Sequence, residues 1–382
     1  MTRASSSRKM PGLWQGVTWA RERGREGGGI SRTHLVARTV WATLTHRAAL
    51  RRWMAVVFEL KQRRMVGDLA GEYLRALRPY VHRATGIDER VVQLIDHVDW
   101  VESAFHSWAL EKIAEGQPLV LAELRPPRGY EFMRLQLQRA PLQAPEGELL
   151  LTLTLQRSPD VQHKAQPVEV AALGFSRFRI DGKGCLVIGG VRGQRDPVNR
   201  LSPVELNQAL QGWKPSVLMV RVAQELARYW GLHLVGLDPG WHRVHAFPHR
   251  LAGRAKDNAK RIDASYDALW DHFDAHKGPT GWMVLPLNSD EKLAATALSP
   301  EKRERQTRRA DYWIRTRKLL HAQFKALLQR PGKEARISRV TESMGPGTVA
   351  PVEDSYFDEE FLESGEDAVP SRVLETGPGS LM

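Results

Sequence analysis

The chain has 382 residues, 42% of them apolar and 12 of them tryptophan, with a formal net charge of +12, so it can bury one large core or two modest ones. Runs such as Leu149 to Leu155 and Cys185 to Val191 are the longest apolar stretches, far short of the roughly 20 residues a spanning helix needs. The N-terminus lacks the apolar core of a secretory signal, and the single cysteine, Cys185, excludes an internal disulfide and a cysteine-rich zinc site. A cytoplasmic address is expected, with attachment to the periphery of the inner membrane as the alternative that the basic charge allows.

Residues 1–32, with Ser5-Ser6-Ser7 and Gly27-Gly28-Gly29 among scattered arginines, lack periodicity and predict a disordered basic N-terminus. Residues 33–116 predict a helical subdomain: Val40, Trp41, Leu44 and then Trp53, Val57, Leu60 recur at helical spacing. Its clearest amphipathic helix runs from Asp88, a candidate cap, through Val91, Leu94, Ile95, Val98, Val101 and Phe105.

Residues 117–330 predict a mixed α/β domain. The period changes to two in Leu119 to Leu124, Tyr130 to Gln138, Glu148 to Gln156, Val168 to Ile180 and Gly184 to Val191, an antiparallel meander. Ala144-Pro145-Glu146-Gly147 and Asp181-Gly182-Lys183-Gly184 supply hairpin residues. Ser202-Pro203 with Glu205 opens a helix, and Pro215 separates it from a second, Val217 to Trp230, closed by Gly231. Strands at Leu232 to Leu237 and Trp282 to Leu287, and helices at Ala264 to Phe273 and Pro300 to Leu328, complete an α+β chain with a parallel crossover. Residues 331–382 predict a disordered acidic tail. Residues 341–382 carry ten acidic side chains against Arg372, so out of the total of +12 that segment holds −9 and the rest of the chain +21.

At this point the chain resembles the VirK/YbjX family of bacterial proteins, a domain of unknown function. The resemblance spans about Trp41 to Leu320 and rests on Ile188-Gly189-Gly190-Val191-Arg192-Gly193, Gly212-Trp213-Lys214-Pro215, Tyr266-Asp267-Ala268-Leu269-Trp270 and the basic run Lys302-Arg303 to Arg308-Arg309. Glu146-Gly147-Glu148-Leu149 and His97 add to it. Arg192 stands where the family usually has Gln, Gln211 where it has His, and Lys214 and Ser216 where it has Arg and Lys. The resemblance implies a role in envelope physiology, virulence and tolerance of antimicrobial peptides, with no known activity.

Three features carry chemistry. A strand ending in glycines ahead of a helix suits a phosphate, with Gly189, Gly190, Arg192, Gly193 and Lys214 as the ligand-binding set and Arg195 nearby. It is neither a Walker loop nor a dinucleotide fingerprint. The element order also resembles the acetyltransferase-like fold called GNAT, which implies acyl-CoA as the ligand; the alternative is that the glycines only permit a bulge or close packing. Next, Asp238, His242, His245 and His249 cluster in a loop; His242 and Glu205 are the candidate bases for an acyl transfer, and no metal is expected. Last, Arg305, Arg308, Arg309 and Arg315 lie on one basic helix. It presents either a polyanion-binding face for nucleic acid or anionic membrane, or a solvated face balanced by Glu301, Glu304 and Asp311.

Overall fold

The computed structural model describes residues 10–26, 32–78, 80–124, 130–142, 146–157, 167–194, 201–242, 265–287 and 299–329. All of them belong to a compact unit over residues 1–342; the acidic segment 341–382, Arg195, His245 and His249 lie outside the described residues.

Six helices come first: α1 (Gln15–Glu26), α2 (Arg32–Thr45), α3 (Arg47–Gln62), α4 (Leu69–Arg75), α5 (Ile87–Ala104) and α6 (Ser107–Ala114). Then follow β1 (Leu119–Leu124), β2 (Tyr130–Arg139), β3 (Leu149–Arg157), β4 (Val168–Ile180) and β5 (Lys183–Gly193). After these come α7 (Pro203–Ala209), α8 (Pro215–Trp230), β6 (His233–Leu237), a helix over 265–272, β7 (His276–Lys277), β8 (Trp282–Leu285) and α9 (Pro300–Leu327).

The strands form one sheet in the order β1-β2-β3-β4-β5-β6-β8-β7. β5 and β6 pair in parallel and every other described pairing is antiparallel. The meander and its crossover are therefore those the sequence predicts. Asp181 and Gly182 both take positive φ, 48° and 75°, and make the two-residue hairpin between Ile180 and Lys183. Ser202 and Glu205 form a reciprocal capping box on α7, Pro215 begins α8, and Gly231 ends it at φ 66°.

Both faces of the sheet are covered at β5 and β6. Leu186, Ile188 and Leu234 join a core with α8, Trp270 and Phe324, whereas Cys185, Val187, Val235 and Leu237 join another with Trp53, Tyr73, Leu94 and Ile95. That double burial makes β5 a continuous apolar run instead of an alternating one. Cys185 serves as a small buried hydrophobe whose thiol pKa burial raises.

Two local readings change. The N-cap of α5 is Gly86, and Asp88 sits in the first turn, 2.8 Å from Nδ1 of His46. The glycine- and arginine-rich N-terminal region nevertheless contains α1, where Ala20 is buried and Trp19 meets Tyr73 edge-on at 5.6 Å. Tertiary packing supplies what local propensity does not.

Candidate functional site

β5 and β6 pair from Cys185 opposite His233 to Ile188 opposite Gly236, and no further. β5 continues to Gly193 along β4, while the chain after β6 turns away through a 3-10 turn at Pro239–Trp241. β5 therefore projects past β6, a notch in the strand pairing at the carboxyl ends of the parallel pair, the place where open sheets with crossovers hold ligands. Because β6 starts three residues after α8 ends and pairs with the beginning of β5, α8 runs back antiparallel to both strands. Its N-terminal turn thus faces the notched end of the sheet. Lys214 caps that turn with no side-chain hydrogen bond to it, so the first amides and the positive end of the helix dipole stay available.

Helix α9 adds charge at the same turn. Arg309 Nη2 donates to the Gly212 carbonyl, Trp213 Nε1 donates to the Arg309 carbonyl at 3.2 Å, and the Arg305 side chain lies beside Gly212. Farther along, Glu225 of α8 holds Arg317 Nε at 3.0 Å and His321 Nε2 at 2.7 Å. Burial raises the pKa of Glu225, but hydrogen bonds from Arg228 and His321 outweigh it and leave the pKa lowered.

The notch is lined by side chains from three segments. Tyr266 Oη accepts a hydrogen bond from the Val191 amide at 2.8 Å. Trp270 lies against Gly236, where a Cβ would overlap its ring, and donates from Nε1 to the Leu237 carbonyl at 2.9 Å. His242 is 7% exposed, with its ring 5.9 Å from that of Tyr266. It forms a β-bridge with His82, which packs 5.1 Å from Trp241 and 5.0 Å from Trp282. Burial lowers the His82 pKa to about 4, so the ring is neutral, and its Nδ1 accepts from the Ala84 amide.

Residues 30–322, which hold all of this geometry, match the family model described as Protein of unknown function (DUF535). The chain belongs to the DUF535 family. No curated protein and no solved structure matches it.

In this DUF535 chain the sequence-derived ligand residues have different surroundings. Gly189 and Gly190 lie inside β5 and face Glu146: a Cβ on Gly189 would run into its carbonyl oxygen, and one on Gly190 into its Cγ. Arg192 makes two hydrogen bonds of 3.2 Å to Glu169 on β4. Gly193 has open space on its side-chain face, and Lys214 is exposed. Glu205 accepts from the Ser202 amide at 2.8 Å as part of the α7 cap, and Asp238 accepts from the Gly240 amide. On α9, Arg305, Arg308 and Arg315 are exposed and Arg309 is half-buried.

Sequence reasoning assigned no role to Glu146, Tyr266 or His82. Glu146 and Tyr266 stand in motifs that carried the family resemblance, but nothing in their spacing shows that they meet β5. A buried polar layer was also missed. Glu148 accepts from Arg75, its amide donates to Ser176 Oγ at 3.0 Å, and Ser176 shares a hydrogen bond of 2.5 Å with Tyr80. Arg139 reaches Glu72 at 2.7 Å. His97 accepts from the Arg177 amide at 3.1 Å, and burial lowers its pKa to about 3. Burial raises Glu72 and holds Tyr80 far above its ordinary value. Glu148, His97, Arg139 and Glu102 border a small pocket whose apolar walls include Leu60, Val98 and Leu110. The layer joins the N-terminal helices to the sheet.

Proposed function

We propose that this DUF535 protein binds a small phosphorylated or acyl-carrying ligand, acyl-CoA being the model compound, at the notch between β5 and β6. The observation that carries the reading is that the parallel pairing ends at Ile188 and Gly236 while β5 runs on to Gly193. The phosphates would meet the N-terminal turn of α8, Gly193, Lys214 and Arg305, where helix amides and cations supply charge-assisted hydrogen bonds. Gly189 and Gly190 give the strand its close approach to Glu146 and are not the phosphate cradle. By the resemblance to VirK/YbjX proteins such a ligand would serve envelope physiology, virulence and tolerance of antimicrobial peptides, and the order of the elements is what supports the GNAT-like comparison. If acyl transfer takes place, His242, beside Tyr266, is the acid–base group at the notch, whereas Glu205 is engaged in the helix cap.

Calorimetric titration with acyl-CoA tests the reading. Lys214→Glu and Arg305→Glu should each weaken binding about tenfold or more, the worth of one charge-assisted contact. Absence of binding by the wild type, or wild-type affinity in both variants, would overturn it. Gly190→Asp is a poor probe because it collides with Glu146 whatever the ligand does.

A second reading is polyanion binding by α9, favoured by the exposure of Arg305, Arg308 and Arg315. It requires nucleic-acid affinity that falls steeply with salt and is lost in Arg305→Glu/Arg308→Glu/Arg315→Glu. Arg309 stays out of that test because it holds the Gly212 carbonyl.

A further inference from the structure

The apolar positions Trp41 and Leu44 belong to a helical pattern, yet they point outward: Trp41 is 43% exposed and Leu44 65%. The exposed side of α2 is the stripe His34, Ala37, Trp41 and Leu44, spaced three, four and three residues apart, while Leu35, Thr39, Ala42 and Thr43 are buried. Thr39 and Thr43 turn their hydroxyls back onto the Leu35 and Thr39 carbonyls at 2.7 Å, which lets them serve as inner-face residues. Exposed Arg47, Ala48, Arg51 and Ala55 continue the surface along α3. Residues 27–58 contain no Asp or Glu and hold Arg32, Arg38, Arg47, Arg51 and Arg52. Asp88, reaching in from α5, is 2.8 Å from His46.

We infer that the α2–α3 elbow is a docking surface for an anionic lipid bilayer. This surface is separate from the ligand notch and from the basic face of α9. Charge complementarity selects the occupant, because the exposed guanidinium groups of Arg47 and Arg51 outnumber the one carboxylate that reaches the elbow, Asp88, and so match a leaflet of one sign. A protein partner would need shape complementarity over some 20–30 residues a side, whereas two large apolar side chains on one stripe are enough to enter a headgroup layer. Trp41 suits the interfacial level, Leu44 reaches the acyl boundary, and Arg47 and Arg51 remain at the phosphates. No helix among the described residues is long and apolar enough to cross a membrane, so the contact is peripheral.

The test is co-sedimentation of the full chain with vesicles of equimolar phosphatidylglycerol and phosphatidylcholine, against phosphatidylcholine alone. The protein should pellet with the anionic vesicles, with a blue shift in tryptophan emission. Trp41→Ala/Leu44→Ala and, independently, Arg47→Glu/Arg51→Glu should reduce binding about tenfold or more, with unchanged circular dichroism because all four side chains are exposed. Arg305→Glu/Arg308→Glu/Arg315→Glu should pellet like the wild type. Three results would each overturn the inference: no binding to anionic vesicles, wild-type binding by the Trp41/Leu44 variant, or a wild-type dimer that this variant converts to monomer.

Discussion

Tyr266 Oη accepts the Val191 amide hydrogen bond at 2.8 Å, tying the 265–272 helix to β5 just beyond the point where β6 has left it. An amide at a strand edge that has lost its neighbour must find another acceptor, and the phenol supplies one. Tyr266→Phe should therefore fold normally and lose about 0.5–1.5 kcal/mol of unfolding free energy in a urea titration. An unchanged midpoint and slope would show that the bridge contributes nothing.

Gly189 and Gly190 are adjacent but meet different parts of Glu146, the main chain in one case and the side chain in the other. Both Gly189→Ala and Gly190→Ala should cost about 1–3 kcal/mol from overpacking. Adding Glu146→Gly, which removes both the Cβ and the Cγ that a Gly190 Cβ would meet, should relieve the second and leave the first in place. A double-mutant cycle by chemical denaturation reads this directly; equal relief at both positions would contradict the packing described.

Much of this arrangement could be foreseen from the sequence, and the division has a physical cause. The ends of α7 and α8 are encoded locally, in Ser202, Glu205, Pro215 and Gly231, so their positions follow from the sequence. The two-sided burial of β5 is written in its unbroken apolar run. Glu146 against β5, Tyr266 on the Val191 amide and Glu148 on Arg75 join residues 43 to 75 positions apart, and no periodicity records such meetings. Trp41 and Leu44 show the opposite limit: helical spacing identifies a stripe but not whether it faces inward.

Acid should destabilise the fold through His82 and His97, which are 6% and 4% exposed. Burial depresses their pKa values to about 4 and about 3, below the unfolded value of about 6.5. Between those limits the unfolded chain takes up protons that the native state refuses, so their stabilising effect is complete above about pH 6.5 and is lost as pH falls. From pH 7 to pH 5 each should account for about 2 kcal/mol of lost stability. Denaturation at the two pH values should show the drop, and His97→Gln should remove about half of it. A flat profile would mean that these rings protonate freely in the native state.

Glu225 anchors α9 to α8 through Arg317 and His321. Glu225→Ala should destabilise the protein by about 1–3 kcal/mol, the cost of losing charge-assisted hydrogen bonds whose partners, Arg228, Arg317 and His321, are 31%, 47% and 43% exposed and can turn to water. Limited proteolysis should then cut first within residues 299–329. Preferential cleavage elsewhere would show that α9 is held by its apolar contacts through Leu320, Phe324 and Leu327 alone.

The most direct test of the ligand notch is amide hydrogen exchange with and without saturating acyl-CoA. Binding at the ends of β5 and β6 predicts added protection confined to residues 191–193 and the first turn of α8, from Lys214 to Leu218. No change there, or protection limited to the exposed face of α9, would contradict it.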